Sequence, residues 1–457
     1  MFGKVLVANR GEIAVRVMKT LRRMGIASVA VHSDVDAGSL HVRTADESVL
    51  IGAAPVAESY LRIDRLVEAA LSTGAEAIHP GYGLLSENPE FARACAAAGL
   101  VFIGPSPESM EMMSSKIRAR ETVSAAGVPV VPGCTEPVHP GPKAFATAAA
   151  IGYPVAAKAA SGGGGKGFRV AAGPDELAAA VEGAAGEGER FFGDTTVYLE
   201  RYLEDPRHVE VQIIGDTHGN VVHLFERDCS VQRRHQKLVE EAPCPLLTDA
   251  QRARLGEIAV RAARAADYFS LGTVEGLLVG DDFYFLEMNT RIQVEHPVTE
   301  LVTGLDLVAE QIRVAAGEPL GFGQSEVRVT GHAIECRINA ESAAKGFRPG
   351  PGRIERFAAP AGDGMRVDTG VADGDDVHPY YDPLIAKVIA WGEDRRAATA
   401  AMRKALDATA VTGIPTLLPF HRALLASEEW ERASTCRELV GDRSWLKSTD
   451  AWTDRSG

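Results

Sequence analysis

Aromatic residues make up only 6% of this chain, and none of its apolar runs approaches the ~20 residues that a membrane-spanning helix requires. That excludes a helical membrane protein. Cysteine is also sparse: six residues (Cys95, Cys134, Cys229, Cys244, Cys336, Cys436) are scattered with no CxxC pair. Such usage fits a reduced, cytoplasmic protein, and the first residues lack a signal-peptide pattern because their apolar stretch is only a strand long. A basic surplus is missing too. The formal net charge is -14, which argues against nucleic acid as a partner. Two nucleotide signatures are likewise absent. No GxGxxG follows the first strand, and the glycine run Ser161-Gly-Gly-Gly-Gly-Lys166 has neither a glycine at position 160 nor a Ser or Thr after the lysine, so it is not a Walker A loop.

At 457 residues the chain is too long for a single core and suits two or three domains. Residues 4–8 form an apolar strand, and Ile13, Ala14, Val17, Met18 and Leu21 recur at helical spacing up to Gly25. A strand over Ser28–His32, a helix near Ile63–Leu71, a helix starting at Asn88-Pro89 and a strand over Leu100–Ile103 continue the alternation. This pattern predicts a parallel sheet covered by helices on both faces. The Pro- and Gly-rich stretch Gly127–Pro142 is the clearest internal linker. Strands over Gly331–Asn339 and Leu384–Trp391 with a helix over Arg396–Ala408 predict a mixed C-terminal domain. From about Arg437 the sequence is polar and reads as a loosely held tail.

The chemistry concentrates in three places. In Glu287-Met-Asn-Thr-Arg-Ile-Gln-Val-Glu295 every second residue is polar, so an extended segment would line one face with Glu287, Asn289, Arg291, Gln293 and Glu295. The preceding residues read as a hairpin with a three-residue loop centred on Asp281, which sets Glu275 opposite Glu287. Opposed like charges with Cβ atoms roughly 4.5–5.5 Å apart are destabilising. A hard divalent cation held through oxygens relieves them; the alternative is a solvated outer face. The second place is the glycine run, flanked by the apolar stretch Tyr153–Lys158 and by Arg169–Ala172. Bare backbone N–H groups there suit phosphate oxygens, and Lys158 is either a phosphate ligand or a solvated edge residue. The third is Glu226–Lys237, preceded by alternating His208, Glu210 and Gln212, a local density of cations suited to small anions. Cys229, inside it, reads as a packed thiol rather than a nucleophile.

Asn9-Arg-Gly-Glu-Ile-Ala14, His79-Pro-Gly-Tyr-Gly83 with Leu85-Ser-Glu-Asn88, Glu226–Lys237 and Glu287–Glu300 resemble the motifs of the biotin carboxylases, ATP-grasp enzymes of the acyl-CoA carboxylases. The likeness extends from Lys4 to about Trp430. It implies an α/β and α+β multidomain fold: a Rossmann-like N-terminal domain (1–113), an ATP-grasp domain (114–330) whose mobile glycine-loop lid spans about 131–203, a mixed C-terminal domain (331–445) and a tail (446–457). It further implies that ATP phosphorylates bicarbonate to carboxyphosphate, the source of CO2 for biotin. By that resemblance Lys116, Lys158, Gly164, Gly165, Glu200, Arg201, Tyr202, Leu203, His208, Gln232, His235, Glu275 and Glu287 bind nucleotide. Glu275, Glu287 and Asn289 hold Mg2+ or Mn2+. Lys237, Arg291, Gln293 and Val294 cradle bicarbonate, Glu295 is the general base, and Arg337 stabilises the enolate-like oxygen of biotin.

Arg201 stands where many relatives carry Lys, and Gly276 where many place a bulky apolar residue, which is expected to weaken packing beside Glu275. No Met-Lys-Met of the kind that carries covalent biotin occurs. The expected partners are therefore a separate biotin carboxyl carrier protein and carboxyltransferase subunits, with a homodimer as the assembly. Two other readings are an ATP-grasp ligase with a different acceptor, against which Arg337 and the C-terminal domain argue, and a non-catalytic subunit, which would require loss of a metal acid, the base or Lys237.

Overall fold

The computed structural model describes residues 1–134, 136–161 and 166–452; Gly164 and Gly165 lie outside them. Five strands, β1 (Lys4–Val7), β2 (Ala27–Ser33), β3 (Glu47–Gly52), β4 (Ala77–His79) and β5 (Val101–Phe102), pair in parallel in the order β3-β2-β1-β4-β5. This is the doubly wound arrangement the alternation predicts. The helix Gly11–Arg23 buries Ile13, Ala14, Val17, Met18 and Leu21, the stripe read from their spacing. Asn88 caps the helix Pro89–Ala97 by accepting the Phe91 N–H. The last strand, predicted over Leu100–Ile103, is only two residues long.

A small antiparallel sheet follows, β6 (Val155–Ala159), β7 (Phe168–Ala171) and β8 (Val197–Arg201), in the order β7-β6-β8. The glycine run joins β6 to β7, as predicted. Helices Pro142–Ile151 and Pro174–Phe192 cover one face through Ala144, Ala148, Leu177, Val181 and Ala184. The stretch read as a linker is pinned at two points, by isolated bridges from Val130 to Phe285 and from Gly133 to Glu200.

The third sheet organises the rest. Its strands are β9 (Arg207–Gly215), β10 (Val221–Arg233), β11 (Gln236–Ala242), β12 (Ser270–Val279), β13 (Asp282–Asn289), β14 (His332–Asn339), β15 (Met365–Thr369) and β16 (Leu384–Gly392), in the order β13-β12-β9-β10-β11-β14-β16-β15. Every neighbouring pair is antiparallel. The β11–β14 ladder carries the sheet across the boundary expected near residue 330, so the strands on either side of that point share one hydrogen-bonded surface.

Three expectations need correction. First, the hairpin loop has two residues, not three: Asp282 already pairs with Val279, and the turn is Gly280-Asp281 with Gly280 at φ +58°. Glu275 still faces Glu287, because a bulge after Glu275 leaves Leu286 unpaired and restores the alignment. Second, β13 stops at Asn289, so Arg291, Gln293 and Glu295 project from a turn leading into the helix His296–Thr303 rather than from one extended strand. Third, the residues after Arg437 are packed. Helices Arg437–Gly441 and Arg443–Ser448 and the turn Thr449–Trp452 bury Val440, Leu446 and Thr449, two of them in the core that contains Trp430 and Phe420.

Gly276 does not loosen the hairpin. A Cβ there would lie 2.1 Å from the Phe283 ring and 2.7 Å from the Tyr284 carbonyl oxygen, so the ring fills the space a side chain would take. Gly276→Val is expected to cost roughly 1–3 kcal/mol by overpacking, read as a lowered denaturant midpoint. A second expected outcome concerns acid. Burial lowers the pKa of His41, His79 and His421 to about 4. Each folded value lies below the unfolded 6.5, so their stabilising share is whole above about pH 6.5 and is lost as the pH falls towards 4. In His421→Gln the drop in unfolding free energy between about pH 7.5 and pH 5 should shrink by roughly 2 kcal/mol.

Candidate active site

Between the small sheet and the face of the large one lies a cavity of about 730 Å³. Every described residue to which the resemblance gives a binding or catalytic role lines it: Lys116, Lys158, Glu200, Arg201, Tyr202, Leu203, His208, Gln232, His235, Lys237, Glu275, Glu287, Asn289, Arg291, Gln293, Val294, Glu295 and Arg337. One end is apolar and aromatic. Ala156, Leu203 and Leu277 form walls, and the Phe168 ring sits 5.9 Å from that of His235 and 6.4 Å from that of Tyr202. Such a slot suits a flat heteroaromatic ring. Beside it the buried Glu200 is paired with both Arg120 and Lys158. Lys116 stands opposite; burial pushes its ammonium pKa down while Glu287 opposes the shift.

The other end is a knot of charge. The Lys237 Nζ lies 2.5 Å from Glu210 Oε2, 2.6 Å from Glu295 Oε1 and 2.9 Å from Glu275 Oε1. Four stretches of chain meet there, from β9, β11, β12 and the turn before His296. Glu275 Oε1 also accepts from Asn289 Nδ2 (2.8 Å) and Gln293 Nε2 (2.6 Å), and Oε2 lies 3.0 Å from His208 Nε2. Burial alone would raise the Glu275 carboxyl, but Lys237 and His208 hold it well below the usual range. Burial works against charge on His208, yet Glu275 and Glu210 lift its pKa to about 9. For Glu287, burial and the charge of Glu275 both push upward.

Arg337 bridges to the C-terminal part of the sheet. Its Nε is 2.6 Å from Glu240 Oε1, and its Nη2 is 2.5 Å from that oxygen and 2.9 Å from Glu295 Oε2. Burial would raise Glu295, but Lys237, Arg337 and Arg227 outweigh it and keep the carboxylate ionised. The Val294 carbonyl accepts from Lys387 Nζ at 2.7 Å. Arg291 is aimed by Glu87 (2.9 Å) and by Asn289 Oδ1 (2.7 Å). Cys229 is fully buried and its thiol is pushed up, which makes it a poor nucleophile, in line with the packed reading.

Several participants were not singled out as site residues. Glu210 belongs to the alternating row His208–Gln212 and was legible there as a buried polar position. Glu87 lies within the Leu85–Asn88 motif but was given no role there, and Glu240 and Lys387 carried no local signal; only the tertiary fold brings the three to Arg291, Arg337 and Val294.

Three family models match in succession: "Biotin carboxylase, N-terminal domain" over residues 1–110, "Carbamoyl-phosphate synthase L chain, ATP binding domain" over 115–322, and "Biotin carboxylase C-terminal domain" over 335–441. The biotin carboxylase of Nostoc sp. is 50% identical over 440 residues, covering 96% of this chain and 98% of that one. The chain belongs to the biotin carboxylase family. A pyruvate carboxylase subunit of Methanothermobacter thermautotrophicus is 51% identical, covering 97% and 90%. Among solved structures, the Campylobacter jejuni biotin carboxylase in its β,γ-ATP complex superposes with a TM-score of 0.93 at 45% identity, covering 95% and 98%. The biotin carboxylase domain dimer of Hydrogenobacter thermophilus 2-oxoglutarate carboxylase, with MgADP, ADP and bicarbonate, gives a TM-score of 0.93 at 46% identity, covering 97% and 99%. Among the described residues no helix is long and apolar enough to cross a membrane.

Within this biotin carboxylase fold Arg227 is the buried strut of the site. Its guanidinium is 0% exposed and donates to Glu210 (2.7 Å), Gln212 (2.6 Å), Gln293 (2.5 Å) and Thr299 (2.9 Å). Arg227→Ala leaves Glu210 and both amides short of donors in a dry interior. We expect a loss of about 3–5 kcal/mol in unfolding free energy by urea titration.

Proposed function

We propose that this protein carboxylates biotin borne on a carrier protein, using ATP and bicarbonate, as the first half-reaction of an acyl-CoA carboxylase such as acetyl-CoA carboxylase. The observation that carries the reading is the union, in one cavity, of a nucleotide-shaped slot, opposed acids and a cation-lined anion pocket adjoining Arg337. Its residues divide among three domains at about 113/114 and 330/331, with the lid at about 131–203.

Glu275 and Glu287 face each other across the β12–β13 ladder with the Asn289 amide beside them. The two carboxylates, joined by the Asn289 amide oxygen once it turns from Arg291, fit a hard divalent cation, and the repulsion that lifts Glu287 is what such a cation would relieve. Glu275, Glu287 and Asn289 would hold Mg2+ or Mn2+, which when bound neutralises charge on the ATP phosphate oxygens. Lys116 and Lys158 bind those phosphates, with Gly164 and Gly165 supplying backbone N–H groups. Glu200, Arg201, Tyr202, Leu203, His208, Gln232 and His235 seat the nucleoside. Phe168, next to Tyr202 and His235, stacks on the base.

Bicarbonate lies among Lys237, Arg291, Gln293 and the Val294 backbone, where a planar guanidinium meets a planar anion in a two-point contact. The Glu295 carboxylate removes its proton and the freed oxygen attacks the γ-phosphorus, giving carboxyphosphate and ADP. Lys237 is the control point. While its ammonium is held by Glu295, that carboxylate is a weak base; as bicarbonate takes over contacts to Lys237, the counter-charge on Glu295 falls and its basicity rises. Carboxyphosphate then breaks to CO2 and phosphate, the released phosphate takes the proton of the biotin ureido nitrogen, that nitrogen attacks CO2, and Arg337 stabilises the negative ureido oxygen.

The carrier is taken to be a separate protein and the assembly a cytoplasmic homodimer that serves carboxyltransferase subunits. The chain spans 98% of the Nostoc biotin carboxylase and 59% of the rice methylcrotonoyl-CoA carboxylase α subunit. The final acceptor is chosen by the carboxyltransferase. Relatives named for pyruvate and for methylcrotonoyl-CoA are each 50–51% identical to this chain.

Glu295→Gln should retain ATP binding but lose at least ~100-fold in biotin-stimulated ADP release and in transfer of label from bicarbonate to acid-labile carboxybiotin. Unchanged turnover in that variant would remove Glu295 as the base. Bicarbonate-dependent ATP cleavage indifferent to biotin in the native protein would point to another acceptor.

A further inference from the structure

Behind Arg337 two buried glutamates face each other without a hydrogen bond between them. Glu240 on β11 and Glu335 on β14 are direct ladder partners, and each is 0% exposed. Cβ atoms so paired stand about 5 Å apart. Glu240 commits Oε1 to Arg337, while its Oε2 has no partner; Glu335 has none on either oxygen among the described residues.

Among the described residues no cation is free to neutralise both. Arg337, on the same strand as Glu335, is shared by Glu240 and Glu295. Lys387 on β16 is held by the Val294 carbonyl at 2.7 Å and by Glu12 at 3.2 Å. Lys237, on the strand of Glu240, is held by its three carboxylates. Of the nearby histidines, burial and the charge of Lys387 keep His296 neutral, and burial does the same for His421, whose Nε2 contacts the Arg337 carbonyl at 2.7 Å. Glu295 adds a further negative charge from the turn before His296. Two facing carboxyls in a dry interior do not both ionise. The one without a donor keeps the proton: burial raises Glu335 well above the usual carboxyl range, whereas Glu240, against Arg337, reaches only about 7.

We propose that Glu335 is a positioning residue, a neutral acid whose hydroxyl turns to the free oxygen of Glu240 and so keeps Glu240 as the anionic clamp that sets where Arg337 sits. With Glu240 charged, Arg337 is drawn between Glu240 and Glu295. If Glu240 took up a proton, Arg337 would close onto Glu295, quenching the base and leaving the place where the biotin oxygen binds. The assignment rests on the reading of Arg337 as the cation for that oxygen.

Two variants of the full-length protein test it, Glu335→Gln, which keeps the shape and a donor, and Glu335→Leu, which keeps neither. Turnover with free biotin is compared with bicarbonate-dependent ATP cleavage without biotin across about pH 6–9, and the infrared carbonyl band of a protonated carboxylic acid is recorded near pH 8. We expect the band in the wild type and its loss in Glu335→Gln, with turnover and pH profile of that variant within about threefold of wild type. Glu335→Leu should lose biotin-stimulated turnover by about tenfold or more, with the KM for ATP and the biotin-independent cleavage changed less than about threefold. Its acid limb should move up from that of the wild type, because Glu240 loses the hydroxyl that holds it ionised. Full turnover in Glu335→Leu, or an equal loss in Glu335→Gln, would overturn the positioning role. A band that is absent in the wild type or persists in Glu335→Gln would overturn the neutral acid. The infrared comparison needs no folded Glu335→Leu and stands even if Arg337→Lys leaves biotin turnover intact, which would separate a failure of the Arg337 reading from a failure of this one.

Discussion

One ammonium group holds the site together. Lys237 lies within 3 Å of three carboxylates contributed by β9, β12 and the turn before His296, and it is itself anchored on β11. Burying so many charges is expensive, and the arrangement is tolerable only because each charge meets opposite charges at hydrogen-bond distance. Glu210 is closed from behind by Arg227, and Glu275 is closed at its sides by Asn289, Gln293 and His208. The strands therefore cannot slip. A one-residue shift of β12 would turn Glu275 to the opposite face and leave Lys237 with two partners. The bulge after Glu275 and the ring of Phe283 over Gly276 are the local means by which the hairpin keeps that alignment.

The same knot explains why the sheet has to be continuous. Glu295 is shared between Lys237 and Arg337, and these two cations stand on β11 and β14, which are paired strands. The role proposed for Glu295, acting first on bicarbonate and then leaving room for chemistry at biotin, needs both cations fixed relative to each other. A ladder of backbone hydrogen bonds does this better than two domains touching through side chains. Lys387 extends the logic one strand further, because from β16 it fixes the Val294 carbonyl next to the base.

Much of this was legible beforehand. The parallel N-terminal sheet followed from apolar spacing in 4–25 and from the Asn88-Pro89 cap, both local signals. The pairing of Glu275 with Glu287 was also legible, although the turn that produces it is tighter and a bulge makes up the difference; a bulge leaves no mark in an alternating pattern. Period-2 alternation overran the end of β13, since turns can also present every second side chain to one cavity. The C-terminal residues looked loose because their apolar residues, Val440 and Leu446 among them, are sparse, and only the core around Phe420 and Trp430 gives them a surface to bury. Glu240, Glu335 and Lys387 escaped because Arg337, Glu240 and Val294, the groups they face, lie more than 90 residues away in sequence, and a glutamate in a strand reads as exposed until the opposite strand is known.

What the charge network does for the reaction follows from how its charges are paired. Around Glu295 each nearby cation, Lys237, Arg291, Arg227, Arg337 and Lys387, already has a carboxylate, whereas Lys116, at the other end of the cavity, has none at ion-pair distance among the described residues. On the proposed placement of bicarbonate, that anion enters by exchange, displacing a carboxylate from a cation rather than neutralising a bare one. Exchange keeps the net cost of binding small, and it also has a chemical product, because the displaced carboxylate loses its counter-charge and becomes more basic. For Glu295 that displaced state is the one the proposed reaction requires. If Glu295 is the base proposed above, the acid that is unreactive in the resting cavity is made basic by the arrival of the substrate it deprotonates, which would protect ATP from attack until bicarbonate is in place.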